Sequence, residues 1–191
     1  MADGVVLETQ TAILDAALVE VEEHGIRRTT ASDVARRAGV SRQTLYRYWP
    51  DAQALFAALV TRELLARMPG PAAAGDLDGI VGVLVGTAER IRRMPLLDRI
   101  RATDPELLSR YLLERLGTSQ RAIHAELCAR IGAGQRAGVV RPGDRAALAA
   151  TVLLILQSAI VSGPLMREWL DEDAWRTELA HALRGYLGGP S

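Results

Sequence analysis

Two helix-start signals with a lone glycine between them constrain this chain more than any other feature. Thr30-Ala31-Ser32-Asp33 has the form of a capping box, in which the threonine hydroxyl accepts from a free amide and the acid reaches back to the cap. A short helix is therefore expected to run to about Ala38. Gly39 supplies the tight-turn conformation that a Cβ penalises, and Ser41 is placed to cap a second short helix, Arg42 to Tyr48. Helix, tight turn, helix is the DNA-binding supersecondary unit when three further conditions hold. A small residue must sit where the helices cross, a glycine in the turn, and apolar residues must lock the pair. Ala35, Gly39, Val40 and Leu45 meet them. Arg42, Gln43, Thr44, Tyr46, Arg47 and Tyr48 are then left for the second helix's open faces. By the usual docking geometry, Arg42 suits guanine O6/N7 and Gln43 adenine N6/N7, while the cap of the first helix and the tyrosine hydroxyls suit phosphate oxygens.

Charge supports this placement only when taken locally. The whole chain is formally neutral, but from His24 to Pro50 six arginines (27, 28, 36, 37, 42 and 47) face Asp33 alone. That local field of +5 is what a nucleic-acid surface needs, and a neutral total does not argue against it. No lysine occurs anywhere, a coding bias that needs no functional account.

The remaining pattern predicts an all-α protein. Ala, Leu and Arg dominate and aromatics make up only 4% of the chain, which favours helices over a β-sandwich. A first helix is expected over Thr9–Glu23, stopped by Gly25. After Pro50, Asp51 can cap a long amphipathic helix whose apolar positions recur from Leu55 to Leu65 and which ends at Met68-Pro69-Gly70-Pro71. Further helices are expected at Leu77–Met94, ended by Pro95, from Asp104-Pro105-Glu106 to Gly117, and from Thr118 to about Gly138. Asp144 caps an apolar helix that ends at Gly163-Pro164, and a last helix spans Glu172–Leu187. The stretch Ala146–Met166 has the length of a membrane span, but Thr151, Gln157, Ser158 and Ser162 interrupt it. It is expected to be a helix buried on nearly all sides, with no membrane as partner.

Over residues 10–65 the chain resembles the TetR family of transcriptional regulators, through Thr30-Ala-Ser-Asp-Val-Ala-Arg-Arg-Ala-Gly-Val-Ser-Arg-Gln-Thr-Leu-Tyr-Arg-Tyr-Trp-Pro50 and the long helix after it. The run Gly134–Asp144, followed by an apolar helix, looks like the loop before that family's dimerising pair. The resemblance implies a helix-turn-helix head over 1–50 and a helical ligand-binding and dimerisation domain over 51–191. It also implies a homodimer through the last two helices, bound to palindromic double-stranded DNA. By the family's pattern Thr30, Thr44, Tyr46 and Tyr48 touch phosphates, Arg42 and Gln43 read bases, and Arg47 does either. One departure stands out: Ala52 occupies a position where the family often carries a phosphate-holding lysine.

A repressor of this type needs a concave, mostly apolar ligand site with a few orienting polar groups. The body offers Met94, Tyr111, Leu127, Cys128, Leu154, Gln157, Ser158, Met166 and Trp169 as candidates, and its scarcity of charge points to a small apolar or aromatic ligand. The alternative is a constitutive dimeric DNA-binding protein without an inducer pocket. His124 and Cys128 share a helical face, but two ligands do not make a metal site, and no metal or cofactor is expected. No Gly-x-Ser-x-Gly elbow, phosphate loop or His-Glu-x-x-His motif occurs, so no enzyme is expected. One cysteine and an N-terminus without a signal-peptide pattern fit a cytoplasmic protein.

Overall fold

The computed structural model describes residues 2–69, 76–106 and 117–188. Among them every regular element is helical: α1 Ala2–His24, α2 Ala31–Arg37, α3 Arg42–Tyr48, α4 Ala52–Ala66, α5 Leu77–Arg92, α6 Pro95–Thr103, α7 Thr118–Arg136, α8 Arg145–Ser162, a 3₁₀ turn Gly163–Met166, and α9 Glu172–Gly188. The chain forms two compact units, residues 1–64 with 94–119, and residues 65–93 with 120–191.

In the first unit α1 packs on α2 and α6, and α2 packs on α3. Ile13, Ala17 and Val21 of α1, Val34 of α2, Leu45 of α3 and Leu55 and Leu59 of α4 are almost wholly buried, as are Leu96 and Ile100 of α6. The helix starts are fixed by side chains, as their sequence predicts. Thr30 and Asp33 form the reciprocal capping box, Ser41 Oγ accepts from the Thr44 amide at 3.1 Å, and Asp51 Oδ1 accepts from the Ala54 amide at 2.7 Å. Gly25 and Gly39 both have positive φ, +83° and +67°, where an L side chain is strained.

In the second unit α5 lies against α8 and α9. Val81, Leu84, Val85 and Ala88 of α5 join Leu127 and Ile131 of α7, Leu148, Val152 and Leu156 of α8, and Leu179, Leu183 and Leu187 of α9 in one apolar cluster. Gly134 lets α7 close on the loop after it, since a Cβ there would fall 2.5 Å from Val140 Cγ2. Asp144 caps α8, its Oδ1 accepting from the Ala147 amide at 2.7 Å.

Several expectations are corrected. The first helix starts at Ala2, well before Thr9. Pro95 does not merely end the preceding helix: α5 stops at Arg92, and Pro95 is the first residue of α6, which the sequence reading left out. A proline lacks only a donor that the first turn leaves unpaired anyway, so it opens a helix as readily as it closes one. The helix expected from Asp104 to Gly117 lies mostly outside the described residues. The apolar helix α8 is not covered on nearly all sides by its own chain: only 28% of its most apolar window is buried, and Leu154 is 67% exposed. By length and composition alone Arg145–Met166 would suffice to cross a membrane, yet one of its faces is committed to the core through Leu148, Val152 and Leu156. The helix-turn-helix lies in the compact unit of residues 1–64 with 94–119.

Candidate nucleic-acid interface

The seven residues of α3 are held by one anchor. Leu45 is fully buried, while Arg42, Gln43, Tyr46 and Arg47 are exposed and Thr44 and Tyr48 half-buried. The crossing of α2 and α3 that sets this exposure rests on Ala35, 2% exposed, and on the turn, where the Val40 amide donates to Ala35 O at 3.0 Å. Within the first unit the outward face of α3 is thus open from Arg42 to Arg47.

The six local arginines are not equivalent. Arg37 is bound to α1, with Nε 2.7 Å from Glu20 Oε1 and Nη2 2.6 Å from Glu23 Oε2, and the hydrogen bond to the buried Glu20 carboxylate holds its guanidinium even more firmly charged than usual. Arg36 is paired with Asp33 at 3.0 Å. Arg27 faces Asp104 at 3.2 Å and also meets Glu106. Arg28, Arg42 and Arg47, by contrast, engage no carboxylate among the described residues. Arg42 lies over the ring of Tyr46, 5.8 Å from its centroid, and Arg47 over Tyr48 at 5.0 Å with Nη2 donating to Tyr48 Oη at 2.9 Å. Stacking on an aromatic face orients a guanidinium without neutralising it, so both cations remain available to an anion. Counting charges along the sequence weights all six equally. Only the fold, which brings Glu20 and Glu23 against Arg37 and Asp104 and Glu106 against Arg27, separates these structural cations from the free ones, and it adds Arg28 to the candidates.

Thr30 sits exposed at the α2 N-terminus. Its hydroxyl lies 2.6 Å from Asp33 Oδ2, and this bond, before the one from its own amide, holds the Asp33 carboxyl below the usual carboxylate range. Thr44 Oγ1 is 3.0 Å from Ser41 Oγ, so the two hydroxyls at the start of α3 are tied together. Ala52 is the first residue of α4 and brings no charge there.

The candidate ligand residues are dispersed. Met94 is buried in the first unit and Leu127 in the core of the second. Cys128 is half-buried beside His124, its Sγ 3.8 Å from both ring nitrogens, and no third Asp, Glu, His or Cys joins them among the described residues. Leu154, Ser158 and Trp169 are exposed, Gln157 and Met166 half-buried, and Tyr111 lies outside the described residues. A cleft of about 660 Å³ opens instead in the second unit, between Met68 and Pro69 just after α4 and Gly82, Val83 and Arg90 of α5. None of the nine candidates is among its described lining residues.

Comparison with known proteins agrees with this geometry. Residues 13–59 match the family model described as bacterial regulatory proteins, tetR family. An uncharacterized HTH-type transcriptional regulator of Mycobacterium bovis is 42% identical over 181 residues, which cover 94% of this chain and 95% of that one. Among solved structures, a TetR-family transcriptional regulator from Pectobacterium atrosepticum is 26% identical and superposes with a TM-score of 0.64, covering 98% of both chains. A putative TetR-family regulator from Rhodococcus sp. shares the fold with a TM-score of 0.69 at 24% identity, covering 94% of this chain and 98% of that one.

Proposed function

The chain belongs to the TetR family and is a DNA-binding transcriptional regulator, and from that premise we propose that it is a cytoplasmic, dimeric repressor, released from a palindromic operator by a small apolar or aromatic ligand. The observation that carries the reading is the open outer face of α3, where Arg42 and Arg47 remain unneutralised beside Gln43. Arg42 and Gln43 read base edges. Thr30, Thr44, Tyr46 and Tyr48 hold phosphates, and Arg47 serves either role.

A single α3 reads one half-site, so a palindrome requires a second copy about 34–36 Å away along the duplex. The exposed apolar side chains Leu154, Leu165 and Trp169, on and just after α8, supply a surface for that copy, and α8 with α9 forms the dimer contact. The second unit serves as the sensor, with the open cleft between α5 and the segment after α4 as the place where a ligand enters. Since α4 is one continuous helix from Ala52 to Ala66, a ligand that shifts its C-terminal end has a direct route to the head. Full reversal of a one-sided equilibrium needs a ligand preference of about 10⁴-fold for the non-binding state.

Selection of bound duplexes from random DNA with the purified protein tests the reading. The recovered sequence is expected to be an inverted repeat, Arg42→Ala is expected to relax its base preference, and an inducing ligand must lower affinity for it. Recovery of no duplex at low salt would sink the proposal, and a ligand that binds tightly without altering operator affinity would remove its sensing half.

A further inference from the structure

Inside the first unit, three residues near the end of α6 converge on the α1–α2 turn, far from them in sequence. Arg99 Nη2 donates to Glu23 O at 2.6 Å, close to the last turn of α1. Thr103 stands where Gly25 passes: a Cβ at residue 25 would fall 2.8 Å from Thr103 Oγ1, so the glycine is required by contact as well as by its φ of +83°. Asp104, 1% exposed, accepts from the Ile26 amide at 3.2 Å and from the Thr103 hydroxyl at 2.6 Å through Oδ2, while Oδ1 faces Arg27 Nε at 3.2 Å. A carboxylate this buried persists only with such partners, and each partner is fixed by it in turn. From Ile26 the order continues to the recognition elements. Thr29 is buried and donates its hydroxyl to Gly25 O at 2.8 Å, and Thr30 then caps α2.

We infer that Asp104 is a positioning residue for DNA binding, which holds the turn Gly25–Thr29 so that Arg28 and the Thr30 cap meet the phosphate backbone. The inference rests on the DNA-binding reading above and deepens it, because the DNA-binding module then includes α6. Its mode of action is geometric: Asp104 touches no DNA, and by pairing with Arg27 it withholds a cation from the duplex. A purely electrostatic account therefore predicts that removing the carboxylate strengthens binding. Positioning predicts the opposite.

The test compares the full-length wild type with Asp104→Asn, and with Thr103→Val as a milder variant that removes one hydroxyl. The probe is the duplex that the wild type recovers from random DNA, titrated at several salt concentrations. Positioning predicts a loss of about tenfold for Asp104→Asn, whose neutral Oδ1 still accepts from Ile26 and Thr103 but through weaker bonds and without the pairing to Arg27, and a smaller loss for Thr103→Val. It also predicts a salt slope shallower by about one phosphate contact, with base preference intact. In amide exchange, Ile26 and Thr29 lose protection while α8 and α9 keep theirs. Equal or tighter binding by Asp104→Asn overturns the inference. So does a loss that merely tracks a lower melting temperature with the slope unchanged. A wild type that recovers no duplex overturns both this inference and the reading beneath it, whereas equality of variant and wild type on a recovered duplex overturns this one alone.

Discussion

The guanidinium of Arg92 lies 4.3 Å above the indole ring of Trp175, which ties the end of α5 to the first turns of α9. The side chain of Arg92 is 5% exposed, and its Nη2 meets Glu172, while Trp175 Nε1 donates to Ala159 O of α8 at 3.2 Å. A buried cation whose partner is removed loses far more than an exposed one, and truncating the cation itself loses both stacking and packing. Arg92→Ala is expected to cost about 2–4 kcal/mol in urea unfolding, by these combined effects. Arg92→Lys keeps the charge but not the planar stack, and it should recover only part of the loss. A change within about 0.5 kcal/mol for Arg92→Ala, the range of ordinary surface substitutions, would show the contact to be ornamental.

Free and structural arginines should separate by salt dependence. Arg47 is stacked on Tyr48 without a carboxylate partner, whereas Arg36 is paired with Asp33 at 3.0 Å. Each phosphate contact contributes roughly 0.9 to the slope of log affinity against log salt. Arg47→Ala is expected to make the slope shallower by about one, while Arg36→Ala leaves it nearly unchanged. Equal slopes for the two variants would refute the sorting of the local charge.

That sorting marks the limit of what was legible before the fold. Capping residues, turn glycines and the buried Leu45 act over a few positions, so Thr30, Gly39 and Ser41 declare their roles locally and α2 and α3 follow. Glu20, Glu23 and Asp104 act on the arginines from other helices, and no local pattern connects Asp104 with Arg27. Pro95 was ambiguous for a different reason: a proline reads as a terminator from one side and as a first-turn residue from the other, which concealed α6. Residue type alone nominates the ligand candidates, and type does not tell a core residue such as Leu127 from a surface one such as Trp169.

The capping box at Thr30 carries an acid-range signature. Hydrogen bonds from the Thr30 hydroxyl, and then from its amide, hold the Asp33 carboxyl below its ordinary value of 3.8. A carboxyl depressed in the folded state contributes stability that is present above the unfolded value and is lost as pH falls through the folded one. Thr30→Val removes the hydroxyl and with it the largest single cause of the depression. The melting-temperature gap between wild type and Thr30→Val is expected to be constant near neutrality and to narrow below about pH 4. A gap that persists undiminished to about pH 2.5 would mean that the carboxylate has no share in the cap.

The outer face of α8 should decide the assembly. Leu154 is 67% exposed although its helix is the most apolar of the described helices, while Leu148, Val152 and Leu156 on the other face are buried in the second unit's core. A glutamate at 154 therefore meets nothing within its own chain, and if that face is solvated the substitution is nearly neutral. If a second copy covers it, the same substitution buries an unpaired carboxylate at each end of a two-fold contact, which no dimer of ordinary interface size tolerates. Leu154→Glu is expected to give a monomer by sedimentation, with helical circular dichroism retained. Operator affinity should fall at least about a hundredfold, because two half-sites are then no longer engaged through one linked pair of heads. A dimeric Leu154→Glu with unchanged operator affinity would move the interface away from α8, and with it the means by which two α3 helices are spaced for successive major grooves.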